Sequence, residues 1–174
     1  MPSFANRIFR ALQLEDRLYE EVAADPRSLG QATALVVLSS FAAGVGNSGG
    51  HPENILTGTI VSLIGWYLWT FLIYLIGVKV FPGPETKGGI VPLLRTTGFA
   101  SSPGVIRIFG FLPAVSVIVV FGASLWLIGA MVIAVRHTFR YQSVPHAIGV
   151  SIIAWIIYQA VRFGLSSLAK TGGL

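Results

Sequence analysis

The chain has 174 residues, of which 53% are hydrophobic and 11% are charged, and its formal net charge is +5. This composition, with a mean hydropathy of +0.74, is typical of a polytopic membrane protein and excludes a water-soluble domain. There is no cysteine, which excludes disulfides, thiolate chemistry and cysteine-ligated metal or iron–sulfur centres. The basic residues are spread over several segments, so the positive charge indicates attraction to anionic lipid rather than to nucleic acid.

The first 25 residues are predicted to form one amphipathic helix, an N-terminal arm that lies on the bilayer surface. Its apolar residues recur at helical spacing, with the charges largely on the opposite side: Phe4, Ile8, Leu12, Leu18 and Val22. Asp25 and Pro26 then supply an N-cap and a residue favoured at the first helical position, so a new helix is expected to begin there. We therefore divide the chain into a cytoplasmic arm, 1–25, and a membrane domain, 26–174.

The membrane domain is predicted to be an all-α bundle of five transmembrane helices. Their expected ranges are Leu29–Val45, Ile55–Val80, Thr96–Leu112, Ala114–Val135 and Pro145–Leu168. The run between Arg95 and Arg136 contains a single ionisable side chain, Arg107. One helix of that length would be about 60 Å long, twice the thickness of a hydrocarbon core. We therefore expect a helical hairpin that turns around Pro113.

The distribution of Lys and Arg predicts the orientation of these spans. Apart from Lys170 and the two arginines inside spans, the basic residues fall in three segments, 1–28, 79–95 and 136–146. Five crossings place all three on one side of the membrane, as the positive-inside rule requires. Four crossings would place Arg136 and Arg140 on the opposite side. The N-terminus is therefore expected in the cytoplasm and the C-terminus outside.

Several kinds of chemistry are not expected. No acid falls within a predicted span, since five acids precede residue 26 and Glu53 and Glu85 lie in loops, which argues against a proton or cation path. The histidines also lie in loops, so we expect no haem or metal site within the bundle. A metal held between His137 and His146 is the alternative to two solvated imidazoles. No hydrolase, metalloprotease or phosphate-loop motif is present, so neither an enzyme nor a cofactor is expected.

Arg107 and Arg162 are the basic residues within predicted spans. Arg107 has two interpretations: a site for an anionic group, such as a lipid phosphate or a partner carboxylate, or a side chain that snorkels to the interface or stacks on an aromatic ring. Arg162 lies nearer the end of its span and is expected to snorkel. We choose Arg95 and Arg107, on either side of Pro103, as candidate contacts for lipid or for a protein partner.

The four tryptophans fall near the middle of their spans, not in an interfacial belt: Trp66, Trp69, Trp126 and Trp155. We expect them to pack inside the bundle, with a groove for a lipid or quinone as the alternative. Small residues four positions apart, as in Gly30/Ala34, Gly58/Ser62, Gly110/Ala114 and Ala130/Ala134, predict close helix packing.

Three parts of the chain point to a known family: Tyr19–Arg27, Leu94–Gly104 and, more weakly, Val135–Phe139 with Pro145–Ala147. They resemble bacterial members of the Yip family of five-span membrane proteins. The resemblance implies five spans, a cytoplasmic N-terminus and no catalytic residues. Eukaryotic relatives are associated with Rab-type GTPases and vesicle traffic, but the arm here leaves little room for a GTPase-binding domain. We therefore transfer the fold and not the trafficking role.

The sequence thus predicts a non-enzymatic protein of the bacterial inner membrane that associates with lipids or serves as an accessory or scaffold subunit of a membrane assembly. The alternative is a transporter or flippase for a hydrophobic or amphiphilic molecule. A closed core would favour association, whereas an open polar groove reached by Arg107 would favour transport. The expected partners are membrane lipids and other membrane proteins; the sequence leaves the oligomeric state open.

Overall fold

The computed structural model describes residues 3–84, 86 and 88–171, with side chains except at 165, 166 and 168–171. Glu85 and Lys87 of the predicted inner loop lie outside the described residues, as does the side chain of Lys170. The α-helices are α1 (Phe4–Leu12), α2 (Asp16–Ala24), α3 (Ser28–Gly46), α4 (Glu53–Leu75), α5 (Ile90–Ala100), α6 (Ser116–Phe139) and α7 (Val144–Thr171). A π-helical turn, Ile76–Val80, continues α4, and a 3₁₀ segment, Ser102–Phe111, follows α5. The protein is all-helical, and the described residues contain no strand.

Four helices are long and apolar enough to cross a membrane: α3, α4 with its π turn, α6 and α7. They agree with four of the predicted spans to within a few residues at each end. The predicted span Thr96–Leu112 is not a single helix, because α5 ends at Ala100 and the 3₁₀ segment continues the chain. Pro103 explains the change, since it sits in the first turn of the 3₁₀ segment, where its missing N–H is not needed. The predicted turn at Pro113 is present between the 3₁₀ segment and α6.

The helix α5 and the 3₁₀ segment run parallel to α3. Glycines bring the backbones together, and the contacts follow the same order along both: Gly98 on Ala32, Gly104 on Ser39, and Gly110 on Gly46. The two pieces together are about 36 Å long, at roughly 1.5 Å per α-helical and 2.0 Å per 3₁₀ residue. They therefore accompany α3 from its first turns to its last residue.

These contacts define two ends of the bundle. At the arm end, α5 meets α2, because Arg95 Nη1 donates to the carbonyl of Ala23 at 3.0 Å. The start of α7 meets the end of the π turn there, with His146 Nε2 lying 2.9 Å from the carbonyl oxygen of Phe81. At the far end, the last turn of α3 packs on the first turns of α4 and on the 3₁₀ segment. Successive helices therefore alternate in direction between the two ends.

The arm consists of two helices, so the prediction of one continuous helix is wrong. The chain turns between α1 and α2 at Leu14, whose φ of 58° lies in the left-handed region. Leu18 and Val22 are fully buried in a cluster with Leu35 and Phe99 of the bundle. The apolar face predicted to meet the bilayer thus packs largely on protein. The division into an arm and a membrane domain at residue 25 remains a prediction.

The helix α3 begins two residues later than the sequence suggested. Asp25 and Pro26 precede it, and Ser28 is its first residue. The carboxylate of Asp25 accepts the N–H of Arg27 at 2.9 Å, so it caps a turn before the helix. The hydroxyl of Ser28 donates to the carbonyls of Val22 and Asp25, which fixes the angle between α2 and α3.

The loop between α6 and α7 is tied to the π turn by Tyr141. Its hydroxyl donates to the carbonyl of Gly77 at 2.7 Å, and its ring packs on Phe139 and His146. Burial raises the pKa of Tyr141 to about 12, so the hydroxyl stays a donor at physiological pH. This contact holds α4, α6 and α7 together at the arm end.

Candidate ligand-binding groove

A groove of about 660 Å³ lies between α3, α4, α6 and α7. It reaches from the far end of the bundle toward the middle of α4. Its polar and aromatic lining includes Ser39, Ser40, Asn47, Asn54, Trp66, Trp69, Trp155, Tyr158 and Gln159. Arg107 and Arg162 also line it. A membrane-depth groove reached by Arg107 is therefore present, and the bundle is not a uniformly closed core.

Each groove helix contributes one face, which helical periodicity produces directly. On α7 the lining residues follow an i, i+3, i+4, i+7 pattern: Trp155, Tyr158, Gln159 and Arg162. On α4 they follow the same spacing from Asn54 through Thr57, Gly58 and Ser62 to Trp69. The small residues of α4 leave the space that the aromatic and cationic side chains of α7 border.

Arg107 enters the groove from the far end. A Cβ atom at Gly46, the last residue of α3, would collide with the Arg107 carbonyl, so the backbone of Arg107 lies at that end. Its guanidinium turns inward, and Nη2 donates to Ser124 Oγ at 3.0 Å. Ser124 lies eight residues into α6, which begins at Ser116, about 12 Å along the helix axis. The side chain therefore points into the bundle and does not snorkel to the nearer interface.

The groove is rich in hydrogen-bond donors. Among the described residues, its lining contains two arginines and no acid. Within the described residues, Arg107 Nε and the indole N–H groups of Trp66 and Trp69 are buried without an acceptor. The first acid of α4, Glu53, is exposed and lies 3.1 Å from His51. A guanidinium at membrane depth is costly without a counter-charge, so this arrangement suits a ligand that brings acceptors and negative charge.

The structure does not bring Arg95 and Arg107 into one site. Arg95 belongs to the arm end, where it holds the last turn of α2 through Ala23, and its Nε is buried without a partner in the described part of the chain. Arg107 belongs to the groove. The interpretation of both residues as lipid or partner contacts stays a prediction.

Three of the four tryptophans line the groove: Trp66, Trp69 and Trp155. Trp126 instead donates its indole N–H to the carbonyl of Leu12 in the arm at 3.1 Å. The alternative interpretation of the mid-span tryptophans as groove residues thus fits three of them. The helical stripe on α7 was the sequence signal that would also have identified Tyr158 and Gln159.

A second polar cluster joins α1 to α2 and α3. Arg7 is only 5% exposed, and it donates to Glu21, Asp25 and Gln31 at 2.8–2.9 Å. Arg10 donates to the other carboxylate oxygen of Glu21 at 2.6 Å. Burial opposes ionisation of Glu21, but the hydrogen bonds from Arg10 and Arg7 outweigh it and lower its pKa. The hydrogen bond from Arg7 likewise lowers the pKa of Asp25, so the cluster is an ionised clamp.

The two histidines predicted in the inner loop face different partners, and His137 lies in the last turn of α6 and not in a loop. His137 is nearly buried and lies 3.2 Å from carboxylate oxygens of Asp16 and Glu20 on α2. His146 faces the carbonyl of Phe81. In the described part of the chain, no group of three His, Asp or Glu side chains is arranged to hold a metal ion.

Comparison with known proteins identifies one family. A family model described as the Yip1 domain matches residues 14–162. The matched range includes α2, Arg107 and nearly all of the four helices that line the groove. No curated protein and no solved structure matches the chain.

Proposed function

The chain belongs to the Yip1 domain family of membrane proteins, and we propose that it is a five-span protein of the bacterial inner membrane and that it binds an anionic amphiphile in the groove. The arm end faces the cytoplasm, and the far end and the C-terminus face outside. The protein acts by association with lipid, alone or as a subunit of a membrane assembly, and not as an enzyme. The ligand's headgroup meets Arg107, and its acyl part lies along the tryptophans.

The path of α5 and the 3₁₀ segment supports the fifth crossing. The two pieces accompany α3 over its length, and their extent of about 36 Å exceeds a hydrocarbon core of about 30 Å. With this crossing, Lys79, Arg95, Arg136 and Arg140 share the side of the arm, in agreement with the positive-inside rule. Without it, α6 and α7 would reverse and carry Arg136 and Arg140 outside.

Single introduced cysteines test this topology, since the natural chain has none. Ala114 and Ser143 are exposed and lie at opposite ends of α6. In intact spheroplasts, five crossings predict that a membrane-impermeant maleimide labels Ala114→Cys and spares Ser143→Cys, whereas four crossings predict the reverse. His51→Cys is labelled in both arrangements and serves as the positive control. Labelling of Ser143→Cys without labelling of Ala114→Cys would overturn the five-span topology.

The position of Arg107 is the observation that carries the proposed ligand. Its guanidinium is inside the bundle, and among the described residues it is hydrogen-bonded only to Ser124 and no carboxylate lines the groove. A charged group at this depth is retained where it meets a compensating charge. A phosphate or carboxylate headgroup supplies that charge together with acceptors for the guanidinium donors.

Lipid retention tests the groove. The full chain is purified in mild detergent, and the lipids that remain bound are quantified by mass spectrometry. Arg107→Leu is expected to lose about tenfold or more of the retained anionic lipid, since a charge-assisted pair contributes about 1.5–3 kcal/mol. Arg17→Leu removes the same charge from an exposed site on α2 and should retain lipid as the natural chain does. Equal retention by the two variants contradicts the proposal.

Transport or flipping of an amphiphile is the second candidate, and the openness of the groove favours it. A translocation path requires a polar route at membrane depth, which the groove supplies over part of the bundle. Vesicles that contain the protein and a fluorescent phospholipid distinguish the two functions. A flippase accelerates movement of the lipid between leaflets, and Arg107→Leu changes that rate. A lipid-holding protein leaves the rate at the value of protein-free vesicles.

A further inference from the structure

A second cavity, of about 690 Å³, lies at the arm end between α2, the start of α5 and the end of α6. We call it the arm cavity. Its polar lining comprises Glu20, Arg136, His137, Thr138, Arg140 and Gln142. Small residues of α2 and of the segment before α5 border the other side, including Ala23 and Gly88. The arm cavity is separate from the groove, and its lining shares no residue with that of the groove.

Among the described residues that line the arm cavity, positive charge exceeds negative charge. Arg136 is 4.0 Å from its nearest carboxylate, that of Asp16, which is the outer limit of an ion pair. Arg140 is exposed and makes no ion pair with any described residue. Among the described residues of the lining, the one acid is Glu20, whose carboxylate lies 3.2 Å from His137 Nδ1. Two guanidinium groups therefore share a cavity in which the described carboxylate faces an imidazole.

We propose that the arm cavity binds the phosphate group of a phosphate ester, with Arg136 and Arg140 as its direct ligands. A guanidinium presents a planar fork of donors that matches two phosphate oxygens, and two forks around one cavity suit a group with three or four acceptor oxygens. The cavity is large enough for the ester group as well as the phosphate. The phosphate comes from an anionic lipid at the surface of the adjacent leaflet or from a soluble phosphate ester.

The bound phosphate links the arm to the bundle. Glu20 and Ala23 belong to α2, whereas Arg136 and Arg140 belong to the end of α6. A ligand held by the arginines fills the space beneath α2 and reduces the opening of the arm. Ligand binding is therefore read out as slower amide hydrogen exchange in residues 16–24.

The experiment uses the full chain in nanodiscs and measures hydrogen exchange of residues 16–24. The first comparison is between phosphatidylcholine nanodiscs with and without phosphatidylglycerol. The second titrates glycerol 3-phosphate into phosphatidylcholine nanodiscs. Protection by phosphatidylglycerol alone identifies a lipid headgroup, and protection by glycerol 3-phosphate identifies a soluble ester. Absence of protection in both comparisons overturns the inference.

Variants of Arg140 assign the site. Arg140→Gln removes the charge of a side chain with no described ion pair. It should lower the affinity for the protecting ligand about tenfold or more. Arg140→Lys keeps the charge but loses the fork and should fall between Gln and the natural residue. Arg17→Gln, an exposed change on α2, is the matched control. Equal protection of Arg140→Gln and Arg17→Gln overturns the assignment, and Arg107→Leu, which empties only the groove, should leave this protection unchanged.

Discussion

The contact between α5 and α3 at Gly98 predicts a sharp cost for one methyl group. A Cβ atom at Gly98 would lie 2.6 Å from the Cβ of Ala32 and 3.0 Å from its Cα. Carbon atoms in contact are ordinarily about 3.5–4.0 Å apart, so the two helices must separate by about 1 Å. Elsewhere α3 is held by close contacts at Gly44 and Gly46, and it cannot shift without opening them.

The magnitude follows from comparison with a glycine in open space. Overpacking of this kind costs about 1–3 kcal/mol, whereas Gly→Ala within a helix gains up to about 1 kcal/mol of propensity. Gly122 lies in α6 with no atom within 4 Å of its added Cβ, so Gly122→Ala has only the gain. The propensity terms largely cancel between the two variants, which leaves a difference of about 2 kcal/mol.

Thermal unfolding in one detergent and at one scan rate measures this difference. At about 2–4 °C per kcal/mol for a chain of this size, Gly98→Ala should unfold about 4–8 °C below Gly122→Ala. Gly129→Ala, also free of contacts within 4 Å, serves as a second control. Equal midpoints for Gly98→Ala and the two controls would refute the close parallel packing of α5 on α3.

Three further predictions concern the arm. Glu21→Gln removes the carboxylate shared by two arginines, which should cost about 2 kcal/mol of the free energy that holds the arm on the bundle. Hydrogen exchange of residues 4–24 should then be about 30-fold faster. Glu53→Gln, in an exposed pair, should leave this exchange unchanged. The pKa values of Glu21 and Asp25 are lowered in the folded state, so the stabilisation by these two carboxylates is complete above about pH 5 and is lost as the pH falls through the lowered values. On acidification, the arm should therefore lose protection from hydrogen exchange before the bundle does. His137→Ala should speed exchange of residues 16–20 about fivefold, for about 1 kcal/mol, and His51→Ala should not. Equal exchange rates in Glu21→Gln and Glu53→Gln would contradict the clamp, and equal rates in His137→Ala and His51→Ala would contradict the contact of His137 with α2.

Four of the spans could be predicted because their signals are local. An apolar run of the right length forms a helix in lipid whatever its neighbours are, and Gly, Pro and Asn mark its ends. The turn at Pro113 follows the same logic. The conformation after Pro103 is different, because a proline in an apolar run is compatible with a break, a kink or a new helical segment. The contacts with α3 select the 3₁₀ path, and no local pattern contains them.

The packing partners of the small residues were only partly predictable. Gly58 and Gly110 of the predicted pairs do make close contacts, with Gly44 and Gly46 respectively. Gly30 has no atom within 4 Å of its added Cβ. Spacing identifies which residues share a helix face, but the facing helix decides which of them is used. The arm illustrates the same limit, since an apolar stripe such as that of Leu18 and Val22 suits both lipid and protein.

The groove combines a local sequence pattern with contacts between segments that are distant in the sequence. The stripe from Trp155 to Arg162 on α7 is a local pattern, and it is unusual in lipid because it concentrates polar side chains on one face. Arg107 reaches that face from a different element, through a 3₁₀ segment whose backbone lies against Gly46. If α5 and the 3₁₀ segment did not cross, the guanidinium would have no reason to enter the bundle near Ser124, since the arm end offers carboxylates to pair with it. Three observations therefore support the same five-span arrangement: the absence of a carboxylate partner for Arg107 among the described residues, the parallel path beside α3, and the basic residues at the arm end.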